Sequence, residues 1–349
     1  MNGAVRGQII GTGSFLPPEI VNNDTLFHEL GINKPGSWLQ EKCGIKRRRL
    51  NFDFSTGRKP ERAFSDTDLA EQAARRALED ANLEGGAIDH LVHISCTPDK
   101  LHFMYSAIEL HRRLGLGCHA RVEHIDSGCA GIAKGIEMAC TYLQAASQPT
   151  RRALIVASNT PSPFFVDWRR YVEKKHWLSA VVFADGAGAM VLQATAELNT
   201  GIQECFYEVD GTHPLVDYPA GGVLNPTTAD NVAEHLYMMD ARDVAVQFQP
   251  AMSHNVERLG LGSPEKRARL DRVYIHQANR WFVEGFAHHA GIPLDRIPVN
   301  IVDYGNTSAA STLILLDEDR RAGRVKGGDS LCFLWVGAGM MMGGALVRL

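Results

Sequence analysis

The chain has 349 residues, 45% of them hydrophobic and 22% charged, and a formal net charge of −4 at pH 7. This balance excludes a long disordered tail, and without a basic surplus it argues against an electrostatic nucleic-acid binder. The length exceeds what one ordinary core needs and predicts two domains.

Met1–Gly7 has no basic start leading into an apolar run and a small-residue cleavage site, so export is not expected and the protein is placed in the cytoplasm. Ser65-Asp66-Thr67-Asp68 is an N-cap with an acidic first turn, and Leu69, Ala73, Ala77 and Ala81 then recur at helical spacing up to Gly85-Gly86. A strand over Ile88–Ser95 follows, then a helix near Ser106–Leu114, a strand over Val122–Asp126, a helix from Ala130 to about Ala145, and a strand over Ala153–Ser158. The second half repeats this order. Val244, Phe248, Met252 and Val256 mark a helix ending at Gly260-Leu261-Gly262, the strand Arg272–Ile275 comes next, and a helix covers Trp281–His289. An extended segment over Ile297–Val302, a helix from Thr307 to about Arg321 and strands from Leu331 to Leu349 complete it. Leu331–Val347 falls short of the roughly 20 residues that span a bilayer, and its Gly337, Gly339, Gly343 and Gly344 fit turning core strands, so no membrane span is expected.

Asp89-His90-Leu91-Val92 is matched by Asp271-Arg272-Val273-Tyr274, which reads as a duplicated α/β unit, with halves at 1–195 and 196–349. Alternating strands and helices imply sheets covered by helices, with ligands at the carboxyl ends of strands. Cys129 and Asn306 then fall at equivalent strand-to-helix turns.

The cysteines Cys43, Cys96, Cys118, Cys129, Cys140, Cys205 and Cys332 form no CxxC pair and no Cys/His spacing suited to zinc, so reduced thiols and no metal are expected. Cys129 is the one with chemistry in its surroundings. In His124-Ile125-Asp126-Ser127-Gly128-Cys129-Ala130-Gly131 it opens a helix, whose unpaired N–H groups favour thiolate and predict a pKa below the usual value of about 8.5. Taken alone, a buried structural cysteine is the commoner case. Likewise a lone histidine such as His276, in Ile275-His276-Gln277-Ala278-Asn279, is more often structural, and Asn306, before Thr307-Ser308, is more often a helix cap. Together they supply a nucleophile, a proton-handling donor and an uncharged amide donor.

With these motifs the chain resembles the thiolase superfamily, and most closely its β-ketoacyl-ACP synthase III branch. The resemblance runs over nearly the whole length. It takes in Ile9-Ile10-Gly11-Thr12-Gly13, Trp38, Gly44-Ile45, Arg47-Arg48-Arg49, Asp126-Ser127-Gly128-Cys129-Ala130-Gly131 and Phe183-Ala184-Asp185-Gly186-Ala187-Gly188. It continues through His276-Gln277-Ala278-Asn279, Gly305-Asn306-Thr307-Ser308-Ala309-Ala310-Ser311 and the glycine-rich end. It implies a thiolase-like α/β fold, two pseudo-symmetric halves in a layered αβαβα sandwich. It also implies acylation of Cys129 from acyl-CoA or acyl-ACP, with the N–H groups of Cys129 and Ala338 holding the oxyanion, and His276 and Asn306 stabilising the enolate of a malonyl-type extender. No cofactor is implied beyond these thioester substrates, and no nucleic acid or membrane partner. Trp38 matches a position that stacks on the CoA adenine, Lys42 one usually held by arginine, and Asn279 one that lines the substrate channel. Phe103 matches an aromatic residue that crosses a homodimer interface toward the acyl pocket. Lys46–Arg49 would meet CoA phosphates or an acidic carrier protein, or form a solvated basic face, and Arg49 and Arg280 are the carrier-docking candidates.

Three departures from the family pattern stand out. Met104 and Tyr105 replace small residues after the pocket aromatic, Arg280-Trp281 shifts the carrier-contacting arginine by one position, and the segment between Asn159 and Phe183 is long, with Phe164, Phe165, Trp168, Tyr171, Trp177 and a basic cluster. They point to a specialised-pathway member. Three readings stay open at this level: decarboxylative condensation, acyl transfer to a hydroxyl, amine or carrier thiol, and a non-catalytic partner subunit.

Overall fold

The computed structural model describes residues 6–51, 64–145, 151–164, 168–212, 215–218, 221–231, 234, 236 and 238–349. In chain order the strands are β1 (Arg6–Phe15), β2 (Ile20–Asn22), β3 (Arg47–Arg49), β4 (His90–Ile94), β5 (Arg121–Ile125), β6 (Arg152–Asn159) and β7 (Gly186–Thr195). They continue as β8 (Gly201–Val209), β9 (Val216–Asp217), β10 (Met238–Met239), β11 (Arg272–Ile275), β12 (Ser330–Gly337) and β13 (Met341–Arg348). Two sheets dominate: a five-stranded one in the order β1-β7-β6-β4-β5 and a four-stranded one in the order β11-β12-β13-β8. Both are mixed. β4 is parallel to β5 and β6, and β11 to β12, whereas β7 and β13 run antiparallel to both their neighbours.

The expected helices form as Asp66–Asp80, Tyr105–Leu114, Gly131–Ala145, Ala241–Arg258, Arg280–Ala290 and Ser311–Arg321. The first is started by a reciprocal cap: Ser65 Oγ accepts the Asp68 N–H at 3.2 Å and the Asp68 carboxylate accepts the Ser65 N–H at 2.8 Å. Its apolar face, Leu69, Ala73 and Ala77, covers the outer side of the five-stranded sheet. The helices Ala241–Arg258 and Arg280–Ala290 cover the outer side of the other sheet.

Gly131–Ala145 and Ser311–Arg321 lie between the sheets in one shared core. Each presses on the sheet of the opposite half at a glycine. A Cβ on Gly343 of β13 would lie 2.3 Å from Ala133 Cβ, and one on Gly188 of β7 would lie 2.6 Å from Leu313 Cβ. Only glycine permits that approach. The result is five layers: helix, sheet, helix pair, sheet, helix. The matched sequence segments are matched in bonding as well. Asp89 donates its N–H to Arg152 O and accepts the Arg152 N–H on Oδ2, and Asp271 does the same with Ser330. No helix among the described residues is long and apolar enough to cross a membrane.

The segment Ile297–Val302 differs from the expectation. It is not a strand of the sheet: a 3-10 turn covers Leu294–Arg296 and a short helix covers Ile301–Tyr304. Pro298 has no N–H to give a ladder, and the buried Gln277 side chain does the bonding instead, donating to Pro298 O and accepting the Asn300 N–H at 3.2 Å. Asn306 therefore follows a short helix, and its nearest extended partner is Phe183, through an isolated parallel bridge.

Candidate active site

β5 ends at Ile125, and the chain turns through Gly128, whose φ of +53° suits glycine, into a 3-10 turn over Gly128–Ala130 and the helix Gly131–Ala145. Cys129 is half-buried at this turn. The Gly128 N–H donates to Cys96 Sγ at 3.1 Å, and the Ser308 hydroxyl donates to Cys129 Sγ at 3.4 Å. The expected lowering of the Cys129 pKa is not what the surroundings produce. Burial pushes the thiol up to about 11, with the Ser308 hydroxyl and the cysteine's own N–H pulling the other way. Desolvation of the charged form outweighs these two hydrogen bonds.

His276 directly follows β11, its N–H bonded to Leu334 O at 3.0 Å. Its ring is 1% exposed; Nδ1 lies 3.4 Å from Ser311 Oγ, and Nε2 has no protein partner among the described residues. Burial pushes its pKa down to about 4, so the ring is neutral at pH 7. In the tautomer whose Nδ1 accepts from the Ser311 hydroxyl, Nε2 carries the proton and is a donor.

Asn306 is held from both sides: its N–H donates to Val182 O at 3.0 Å and its carbonyl accepts the Ala184 N–H at 2.9 Å. Its side-chain Oδ1 accepts the Ser308 N–H at 2.8 Å. That leaves the amide N–H groups as the free end of the side chain. Gly305, at φ +74°, makes room, since a Cβ there would sit 2.8 Å from Ala184 Cβ and 3.0 Å from Arg48 Cβ.

Cys129, His276, Asn306, Ser308 and Ala338 line one cavity of about 950 Å³, walled by apolar side chains such as Leu178, Val182, Phe248 and Phe282. That volume and apolar wall suit an organic ligand with a few fixed polar contacts. Ala338 follows β12, where Gly337 packs so closely that a Cβ on it would lie 2.9 Å from the Ala130 nitrogen. Uncharged donors, a buried neutral imidazole and a thiol can bind and transfer an acyl group and stabilise an oxyanion. Among the described residues no group of three or more His, Cys, Asp or Glu could hold a metal ion.

Lys42 and Asn279 also line the cavity, and Asn279 caps the helix Arg280–Ala290 by accepting the Phe282 N–H at 2.7 Å. Trp38, Phe103, Arg49 and Arg280 do not line it. Trp38 is half-buried against Trp177, ring centroids 5.3 Å apart, under Lys34 Nζ at 5.1 Å. Phe103 is 93% exposed on the outside of the chain. Arg49 is turned onto the Pro18 carbonyl at 2.9 Å, a neutral acceptor, and Arg280 is ion-paired with Glu284 at 2.6 Å, so only the Arg280 charge is answered by a carboxylate. The basic run divides further: Arg48 is fully buried, donating to Asn23 Oδ1 at 2.6 Å, with burial pushing its pKa down to about 9, and Arg47 pairs with Asp303. A phosphate or carrier contact by Arg48 is therefore excluded. In the long 159–183 segment, Asn159, Leu178, Val182 and Phe183 reach the cavity while Trp177 packs on Phe27; Phe165 and the side chains of Phe164 and Trp168 lie outside the described residues. Ser308, which lines the cavity, and Ser311, which touches His276, are the residues that sequence reasoning left without a role, although both stand inside the Gly305–Ser311 motif.

Two family profiles match: "3-Oxoacyl-[acyl-carrier-protein (ACP)] synthase III" over residues 124–211 and its C-terminal counterpart over residues 265–349. The chain is 33% identical to the β-ketoacyl-[acyl-carrier-protein] synthase III of Alkalilimnicola ehrlichii over 343 residues, 98% of each chain. Among solved structures, the Pseudomonas aeruginosa 3-oxoacyl-(acyl carrier protein) synthase III is similar at a TM-score of 0.81 and 27% identity, covering 98% of each chain. Xanthomonas campestris OleA shares the fold at a TM-score of 0.81 and 22% identity, over 99% of this chain and 98% of that one.

Proposed function

The chain belongs to the β-ketoacyl-[acyl-carrier-protein] synthase III family of the thiolase superfamily, and from that premise we propose that Cys129 is its acyl-accepting nucleophile, with His276 and Asn306 acting on the second thioester. It is a synthase III-like condensing enzyme, an acyltransferase of fatty acid or polyketide synthesis. The observation that carries the residue roles is that Cys129, His276 with its unpartnered Nε2, and Asn306 with its free amide end line one cavity.

In the first half-reaction the Cys129 thiolate attacks the carbonyl carbon of an acyl-CoA or acyl-ACP. The carbon–sulfur bond to the carrier breaks, and the carrier thiol leaves with the proton that Cys129 gave up. The N–H groups of Cys129 and Ala338 receive the oxyanion, a contribution of about 3 to 4 kcal/mol per donor in enzymes where one has been removed. In the second, a malonyl-type thioester loses CO2 and the bonding pair passes into an enolate, whose oxygen takes hydrogen bonds from His276 Nε2 and the Asn306 amide. The enolate carbon then attacks the acyl-Cys129 carbonyl, releasing the thiolate and a 3-oxoacyl thioester. Neither donor changes charge state near neutral pH: the His276 ring is already neutral and an amide does not titrate. Retention of Asn306 favours condensation over plain acyl transfer, which forms no enolate.

Lys42 and Asn279 are read as contacts to the carrier arm, and Trp38, Arg49 and Arg280 as outer contacts. We read residues 1–195 and 196–349 as the two repeated halves, and the chain as half of a homodimer. Phe103, exposed beside Leu101, Met104, Tyr105 and Ile108, supports that pairing, as does β5, which lies at an edge of its sheet. Met104, Tyr105 and the long 159–183 segment support a specialised pathway. The test is intact-mass screening against acyl-CoA and acyl-ACP thioesters, followed by malonyl donors with CO2 measured. An adduct on Cys129 with CO2 release is expected; an adduct without CO2 would select the acyltransferase, and no adduct would overturn the reading.

A further inference from the structure

Ser308 is the residue at which the two parts of the site touch. It is 5% exposed and opens a 3-10 turn over Ser308–Ala310 at a φ of +52°, a left-handed backbone that a non-glycine residue adopts only when its surroundings hold it there. Two contacts use this conformation. Its N–H donates to Asn306 Oδ1 at 2.8 Å, and its hydroxyl donates to Cys129 Sγ at 3.4 Å, across 179 positions of sequence. A glycine would take the same backbone without strain and would keep the N–H bond. The hydroxyl is what a glycine would not supply.

We propose that Ser308 is a further catalytic residue, whose hydroxyl stabilises the Cys129 thiolate for the acylation step while its N–H fixes the amide of Asn306 for the condensation step. The inference rests on the reading of Cys129 as the acyl-accepting nucleophile. A sulfur held in an apolar cavity gains little from solvent, so a donor aimed at it has more effect there than at the surface. As acylation proceeds the bond to sulfur weakens, because the negative charge passes from sulfur to the carbonyl oxygen and then to the leaving carrier thiol. The hydroxyl therefore acts on the formation of the nucleophile, whereas the N–H acts through Asn306 and is independent of side-chain identity.

The two contacts are separable by Ser308→Ala and Ser308→Gly, both of which delete the hydroxyl and keep the N–H. Ser308→Gly also removes the strain at φ +52°, so it supplies a folded variant if the alanine form does not fold. Alkylation of Cys129 by iodoacetamide, followed across pH at the peptide level, reads the thiolate directly. The expected result is alkylation of Cys129 slowed about tenfold to a hundredfold at each pH of the neutral range in both variants, with acylation slowed by a similar factor. CO2 release by enzyme already acylated on Cys129 should stay within about twofold of the unsubstituted protein, which a general loosening of the site would not allow. An unchanged alkylation rate in both variants overturns the proposal, as does an equal fall in acylation and CO2 release. Alkylation needs no acyl donor. If the unsubstituted protein accepts no acyl group at all, the reading of the reaction falls, while the alkylation rate still decides whether Ser308 acts on Cys129.

Discussion

Burial decides the protonation of the two titratable residues at the centre of the site. With its thiol pushed up to about 11, Cys129 is thiolate in only about one molecule in ten thousand at pH 7, so acylation should quicken about tenfold per pH unit through the neutral range. His276 moves the opposite way. Its folded pKa of about 4 lies below the ordinary 6.5, so the unfolded chain takes up the proton first as pH falls. The stability associated with the neutral ring is complete above about pH 6.5 and is lost progressively toward pH 4. Thermal melts should show a falling Tm across that window, and His276→Gln should reduce the fall, leaving the part due to His90, which burial also pushes down to about 4; an unchanged slope would mean that His276 contributes nothing to it. Asn306 carries a different expectation. Replacing it by Asp exchanges the free amide donor for a carboxylate beside a developing enolate, and CO2 release should drop by at least about a hundredfold while the Cys129 adduct still forms. Loss of both half-reactions together would count against the division of roles.

At the scale of elements, the active site depends on two helices held between the sheets by glycine contacts. Gly188 on β7 leaves no room for a side chain, because a Cβ would meet Leu313 Cβ at 2.6 Å and the Ile314 nitrogen at 3.0 Å. Gly188→Val should therefore cost about 1 to 3 kcal/mol in a denaturant titration and displace Ser311–Arg321, the helix that directly follows Ser308–Ala310. A full-stability variant would show that this layer yields more easily than its contacts suggest. Most of this level was legible in sequence, because caps and periodicity are local: Ser65 with Asp68 announced a helix start, and Arg272–Ile275 was placed to the residue. The segment after Ile297 was not. Its apolar character resembles a strand, but Pro298 removes a ladder donor and the buried Gln277 binds it in irregular form. The duplication in sequence is real in bonding at Asp89 and Asp271, yet the second sheet has four strands where the first has five.

At the scale of the whole molecule, Cys129 comes from one end of the five-stranded sheet, and His276 from one end of the four-stranded sheet. The exposed apolar run around Phe103 lies on the outside of the chain, the surface that the proposed homodimer would bury. Phe103→Asp combined with Ile108→Asp should convert a dimer to a monomer in sedimentation velocity without unfolding either half. A dimer that persists in the double variant would place the interface elsewhere.

The sequence by itself determined the order of the elements and which residues are the candidates for the chemistry, because motif spacing, capping and hydrophobic period are written over a few neighbouring positions. It also placed Ser308 inside an informative motif without giving it a task. Only the tertiary structure decided that the Cys129 thiol is raised and not lowered, that Arg48 is a core residue and not a phosphate contact, and that Ser308 reaches both Cys129 and Asn306. The physical reason is the same in each case. Desolvation and side-chain hydrogen bonding are set by what packs around a group, and here most of those neighbours come from distant parts of the chain.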